Sequence, residues 1–254
     1  MKKRYFVELS YLGKNYSGWQ IQPNAHTIQQ ELQDNLTKLN RNNPIKIIGC
    51  GRTDAGVHAQ HYYMHMDYPE ILDIRHFIFK LNHMLPKAIV ILDVFEVHEK
   101  AHTRYNATDR TYKYYLHHFK NPFIKDTSWY CYETLDIQLM NEAASTLLNH
   151  RDFEAFSKVS TNVNNFICTV RQAQWEQIGE QMVFTISANR FLRNMVRAIV
   201  GTLIEVGAKR MTLDEFEAVI LSKDRDCAGK SAPANGLTLM EVKYPFFSTL
   251  LFEL

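Results

Sequence analysis

Cysteine is scarce. The chain has four in 254 residues, Cys50, Cys131, Cys168 and Cys227. None stands close enough to another for the paired spacing of a zinc site or a redox dithiol, so they read as reduced core or surface thiols. Long apolar runs are missing too. The opening MKKRYFVELSY is too polar for a secretory leader, and no stretch approaches the ~20 uninterrupted apolar residues of a bilayer span. A soluble, cytosolic protein without a membrane partner is the expectation. Neither sign of charge dominates, with 29 Lys plus Arg against 27 Asp plus Glu and a net charge of +2. Any surface for a nucleic acid must therefore be local. No Gly/Ser-rich linker marks a domain boundary.

What is present is a chain that should fold: 46% of its residues are hydrophobic, and its length suffices for one large domain or two small ones. RYFVELSY alternates Tyr5, Val7, Leu9 and Tyr11 against Phe6, Glu8 and Ser10, the period of a half-buried strand. After the loop LGKNYSGWQIQPNAH, Thr27 with Gln30 three residues on predicts a capped helix whose Ile28, Leu32, Leu36 and Leu39 share a face. RNNP breaks it before the strand-like IKIIGC. QHYYMHMDY alternates again, and TYKYYLHH opens a similar second half. DIQLMNEAASTLLNH predicts a helix with Met140, Ala143, Ala144 and Leu147 inward, and VRQAQWEQI with QMVFTISA predicts a hairpin around Gly179. RFLRNMVRAIVGTLIEVG predicts a helix that Gly207 can stop. TLDEFEAVILS predicts another, opened by a Thr212 and Glu215 capping box, and GLTLMEVKY a last strand. This order fits two α+β halves with antiparallel sheets better than βαβ winding, with a boundary near residue 105.

Three constellations carry chemistry. GRTDAGVHA sets Asp54 in a glycine-bounded loop between Arg52 and His58, just before a strand. Turn chemistry alone accounts for it, since an aspartate can cap backbone amides while Gly56 supplies a positive φ. In RFLRNMVRAIVG, Arg190, Arg193 and Arg197 fall at i, i+3 and i+7, a basic stripe that needs an anion or must reach solvent. His58, His61 and His65 resemble a metal cluster, but in a strand His61 and His65 stand ~13 Å apart and His58 faces away from His61, so no metal site is expected.

These pieces together closely resemble the tRNA pseudouridine synthase A family. YLGKNYSGWQIQ, GRTDAGVHA, RTYKYYL, DFEAFS, NRFLRNMVRAIVGTL and APANGLTL occur in order over nearly the whole chain, GRTDAGVHA being the most specific; CAGKSAPANGL is a looser match. The resemblance implies an α+β fold of two ferredoxin-like or RRM-like halves joined around a central active-site cleft. Residues 1–105 would carry the catalytic aspartate loop, and residues 106–254 the base-packing tyrosine and the basic helix. Asp54 would act on the target uridine, Tyr112 pack against the uracil, Arg197 serve as the aspartate's basic partner, and Arg52 help hold the vacated base stack open. Pseudouridylation breaks the N1 glycosidic bond and rejoins the base through C5, without redox change, so the resemblance implies no cofactor and no metal. It also implies a homodimer acting on uridines at about nucleotides 38 to 40 of the tRNA anticodon stem-loop, flipped out for chemistry.

Lys2, Lys3, Arg4, Arg110, Lys113 and the Arg190 stripe would supply a local basic surface. The ending KYPFFSTLLFEL suits a subunit interface or a terminal core strand. Two other classes remain open on the residues alone. One is a non-catalytic RNA-binding module of the RRM kind, which would not need Asp54; the other is a hydrolase pairing Asp54 with His58 or His61.

Overall fold

A computed structural model describes residues 2–159 and 165–245. The ending from residue 246 onward, weighed above as an interface segment, lies outside the described residues. The protein is α+β and its strands are largely antiparallel. The chain forms two compact units, leaving the first after Thr108 and returning to it at Leu239.

The first unit holds β1 (Lys2–Tyr11), α1 (Ile28–Leu39), β2 (Ile47–Gly49), β3 (His58–Pro69), α2 (Ile74–Met84) and β4 (Ile89–Val97). β1 lies between β3 and β4, antiparallel to both, and β2 pairs with β3. The alternation in β1 holds, except that Phe6 on the second face is also fully buried. A bulge between Leu9 and Tyr11 shifts the register against β3, so that Leu9 faces Tyr62 but Tyr11 faces Ala59. α1 begins as its cap predicts: Thr27 is buried and its hydroxyl accepts from the Gln30 amide at 3.3 Å. The box is not reciprocal, because the Gln30 side chain donates to Asp34 instead, at 2.7 Å. Ile28, Leu32 and Leu36 are fully buried, each contributing about 1.5–3 kcal/mol of burial. IKIIGC is strand only over Ile47–Gly49.

The second unit holds β5 (Asp109–His117), β6 (Trp129–Tyr130), α3 (Ile137–Thr146), β7 (Val170–Ile178), β8 (Gln181–Ala188), α4 (Met195–Gly207) and α5 (Leu213–Ser222). β7 and β8 form the expected hairpin, and β8 pairs antiparallel with β5, placing Tyr112 opposite Ile186. β6 runs parallel to β5. α3 buries Met140, Ala143 and Ala144 as its spacing predicts. Thr212 and Glu215 make the complete capping box at α5. A last strand, β9 (Leu237–Lys243), leads the chain back to the first unit.

One expectation about α4 fails. The helix starts at Met195, because Asn194 adopts a left-handed conformation at φ 66° and breaks the continuity that RFLRN suggested. Arg190 and Arg193 therefore precede the helix, and only Arg197 of the three arginines lies on it. α4 ends at Gly207, as the sequence predicts. A Cβ there would lie 2.5 Å from Met140 Sδ, so the residue is small to let α3 pack close, and the left-handed turn falls at Lys209 with φ 60°.

Candidate active site

In the first unit the stretch ending β1 and the loop before β3 are locked together. Asp54 and Val57 close a tight turn, Asp54 O accepting from Val57 N at 3.2 Å, with Gly56 at φ 81° in the third place, as turn chemistry requires. The turn is held from outside by residues 11–19. Trp19 N donates to Thr53 O at 3.2 Å, Gly56 N to Tyr16 O at 3.3 Å, and the Tyr11 and Thr53 hydroxyls meet at 2.9 Å in the interior. Gly13 N donates to His58 Nδ1 at 3.0 Å, and Tyr62 Oη to Gly51 O at 2.6 Å. Behind these bonds Trp19 stacks on Tyr62 with centroids 4.1 Å apart, and Tyr11 packs against both rings. Thr53 is buried and Asp54 half-buried, so the turn fixes the backbone on both sides of the carboxylate while part of the residue stays accessible. Arg52 is exposed, two residues before it.

Gly18 shows how close this approach is. At φ 87°, a Cβ on it would lie 2.5 Å from Thr53 O and 3.1 Å from the Asp54 carbonyl carbon. Gly18→Ala is expected to strain its own backbone and push the Asp54 turn outward, costing about 1–3 kcal/mol of stability and misplacing the carboxylate. Thermal melting and turnover read the two effects. A variant with parental melting and turnover would show that the loop tolerates displacement.

The second unit carries Tyr112, Arg197 and Arg110. Tyr112 is half-buried on β5 and is braced by Phe191, whose ring stands at 89° to it with centroids 5.2 Å apart. Arg110 Nη1 donates to Asn189 O at 2.8 Å, tying β5 to the chain entering α4. Arg197 sits in the first turn of α4, half-buried, and its Nε donates to Ala232 O at 2.7 Å while Ala232 N returns a bond to Arg197 O at 2.9 Å. That pair docks the loosely matching segment CAGKSAPANGL on the helix, helped by Asn194 Nδ2 donating to Ser231 Oγ at 2.6 Å. Burial pushes the neighbouring Tyr114 phenol above its ordinary value, and the Arg197 charge pulls the other way. The predicted site residues thus fall two and two: Asp54 and Arg52 on one loop of the first unit, Tyr112 and Arg197 on β5 and α4 of the second.

The histidines have other work. His58 is buried beneath Gly13, His61 Nδ1 meets Glu8 Oε1 at 2.6 Å, and His65 Nδ1 meets Thr103 Oγ1 at 2.9 Å. Burial, His102 and Arg4 hold His65 down to about 4, with Asp67 opposing. A histidine depressed on folding keeps its stabilising contribution above its unfolded value, 6.5. It loses that contribution as pH falls from there toward about 4, because the unfolded chain takes up the proton first. The parent should therefore lose more stability than His65→Gln between about pH 7 and about pH 4.5, read as urea midpoints; equal losses would refute the assignment. Among the cysteines, Cys50, Cys131 and Cys168 are buried and Cys227 is exposed, and burial pushes the Cys168 thiol up to about 11. A buried thiol raised in this way is a core residue, not a nucleophile.

Sequence reasoning missed the residues that hold the aspartate: Tyr11, Trp19, Thr53, Tyr62 and Gly18. The signal for Tyr11, Gly18 and Trp19 lies in the aromatic and glycine content of YLGKNYSGWQ, a family signature given no part above in holding the aspartate, while Thr53 lies in GRTDAGVHA and Tyr62 in QHYYMHMDY.

A half-buried carboxylate on a turn held by residues 11–19 is a candidate for the chemistry of an oriented acid, as nucleophile or as proton carrier, within the class of α+β enzymes. Comparison with known proteins narrows the class. The family described as tRNA pseudouridine synthase matches residues 9–106 and 143–245. The chain is 49% identical over 244 residues to the tRNA pseudouridine synthase A of Parabacteroides distasonis, covering 96% of each. It is 48% identical over 246 residues to that of Bacteroides thetaiotaomicron, covering 96% of this chain and 91% of the relative. The synthase A of Streptococcus gordonii is 36% identical over 245 residues, covering 95% and 98%. The chain belongs to the tRNA pseudouridine synthase family, a family of isomerases.

Proposed function

We propose that this protein isomerises uridine to pseudouridine in tRNA, at about positions 38, 39 and 40 of the anticodon stem-loop, on a base flipped out of its stack. Asp54 is the nucleophile. The observation that carries this reading is the closely held turn around Asp54, in a chain that matches relatives named as the synthase over nearly their whole length. The reaction breaks the bond from uracil N1 to C1′, turns the base and joins C5 to C1′; N1 gains a proton and C5 gives one up. A single well-oriented carboxylate suits that sequence, because it can form and release one covalent bond without adding atoms to the substrate or removing any.

In this reading the chain is built as two ferredoxin-like halves around a central active-site cleft, residues 1–105 carrying the aspartate and residues 106–254 the tyrosine and the basic helix, with the stretch from Leu239 returning to the first compact unit. In that cleft Tyr112 packs against the uracil and Arg197 pairs with Asp54. Arg52, exposed beside the aspartate, holds open the stack the base has left. The basic partner surface takes the RNA largely by charge, and the protein acts as a cytoplasmic homodimer without cofactor or metal.

Carbodiimide labelling followed by primer extension on a treated, unmodified tRNA transcript tests the proposal. New stops in the anticodon stem-loop without strand cleavage are expected. Cleavage would make the chain a hydrolase, and binding without stops a non-catalytic RNA-binding module.

A further inference from the structure

Between β4 and β5 the stretch AHTRYN, Ala101 to Asn106, is pinned far more firmly than a connection needs. Arg4 Nη1 donates to Ala101 O at 3.0 Å, Thr103 Oγ1 to Ile48 O at 3.0 Å, and Tyr244 Oη to Thr103 O at 2.6 Å. Within the stretch, His102 N donates to Asn106 Oδ1 at 2.6 Å and Asn106 N to His102 O at 3.0 Å. Thr103 is fully buried as the anchor.

The fastened loop turns a large ring outward. Tyr105 is 75% exposed. Its ring lies over His102 with centroids 4.2 Å apart, and His102 in turn meets the buried His65 at 4.6 Å. The amides of Arg104 and Tyr105 also reach His102 Nδ1, at 3.2 and 3.4 Å. The tyrosine is therefore backed by an aromatic column that runs into the core, and it loses little freedom when something stacks on it. Arg104, also exposed, holds its guanidinium 5.9 Å from the centre of the same ring. Burial, Arg4 and Arg104 lower His102 from its ordinary range, which favours a neutral ring behind the tyrosine.

We infer that Tyr105 and Arg104 form a nucleotide platform, on which an unpaired base of the tRNA stacks against the tyrosine while the arginine meets an adjoining phosphate. A preformed aromatic face with a guanidinium at its edge is the arrangement by which proteins grip single-stranded nucleotides, since every base offers a π face and every nucleotide a charge. A protein partner is less suited to it. An exposed ring with a guanidinium at its edge is small beside the roughly 800 Å² per partner that a stable protein interface buries. The inference rests on the reading of the chain as an enzyme acting on tRNA. The platform lies outside the residues assigned there to the reacting uridine.

Filter binding of an unmodified tRNA transcript, with single-turnover conversion at saturating enzyme, tests it on Tyr105→Ala, Tyr105→Phe and Arg104→Gln. Tyr105→Ala should bind roughly tenfold or more weakly, Tyr105→Phe like the parent, and Arg104→Gln should weaken binding and lower the salt slope by about one. All three should convert bound tRNA at the parental rate and melt within about 2 °C of the parent, because both side chains are exposed and the buried anchor Thr103 is untouched. Parental affinity in Tyr105→Ala would overturn the platform. So would an unchanged affinity accompanied by altered sedimentation, which would make the face a protein contact. A parent that binds the transcript without making pseudouridine, with Tyr105→Ala still weakened, would support the platform and sink the proposed reaction instead.

Discussion

Asp54→Asn is expected to reduce pseudouridine formation below a few per cent of the parental rate, while tRNA affinity stays within several-fold. An amide is nearly the same size as the carboxylate but cannot act as its nucleophile. The turn itself should survive. It is closed by the backbone of residue 54 accepting from Val57 N and by the positive φ of Gly56, and it is held by Thr53, Trp19 and Tyr16, none of which the substitution touches. The melting temperature should therefore move little, which separates this variant from Gly18→Ala, where turn and carboxylate shift together. Conversion is measured under single-turnover conditions at saturating enzyme, with affinity measured separately on the same transcript. A variant that still converts uridine at more than a few per cent of the parental rate would reduce Asp54 to a turn residue, the reading that composition alone allowed.

That bland reading and the functional one describe the same geometry, and the sequence could not separate them because the difference lies in long-range contacts. TDAG announces its own turn through Gly56. It says nothing of Gly18, thirty-odd positions earlier, whose missing side chain lets one strand of loop lie against the other. The parts of the fold that were legible are those set by local chemistry: the Thr27 cap, the Thr212 and Glu215 box, the β7–β8 hairpin and the inward face of α3. The start of α4 was not. RFLRN continues the apolar and basic spacing of a helix without interruption, and only the left-handed Asn194 ends that register, a conformation asparagine tolerates but does not impose. A stripe of three arginines thus became one helical arginine with two before it. α2 and β4 went unread, although Asp73 caps the first with its side chain on His76 N at 2.9 Å.

The surviving helical arginine carries the second large effect. Arg197→Met keeps a similarly long, unbranched side chain and removes its charge and all its donors. Conversion of saturating tRNA is expected to fall about 10- to 100-fold, the loss that follows when a hydrogen bond to a charged group is removed from a site that depends on it. The direction of the side chain comes from Nε, which donates to Ala232 O and so aims the guanidinium from the first turn of α4. Arg197→Lys should do less harm to the chemistry, since the charge remains, but it loses that Nε bond and the planar fork together, so it should fall between parent and Met. Both variants leave the Ala232 carbonyl short of its arginine donor, at about 1–3 kcal/mol if it finds no other, and their melting curves should shift alike. That shared loss is the internal control: rates that track melting would mark Arg197 as a docking residue for the 229–233 segment. A Met variant slower than Lys at equal stability assigns the effect to charge at the reacting centre. Should the Met variant convert bound tRNA at the parental rate and lose only affinity, Arg197 holds a phosphate, and its pairing with Asp54 is wrong.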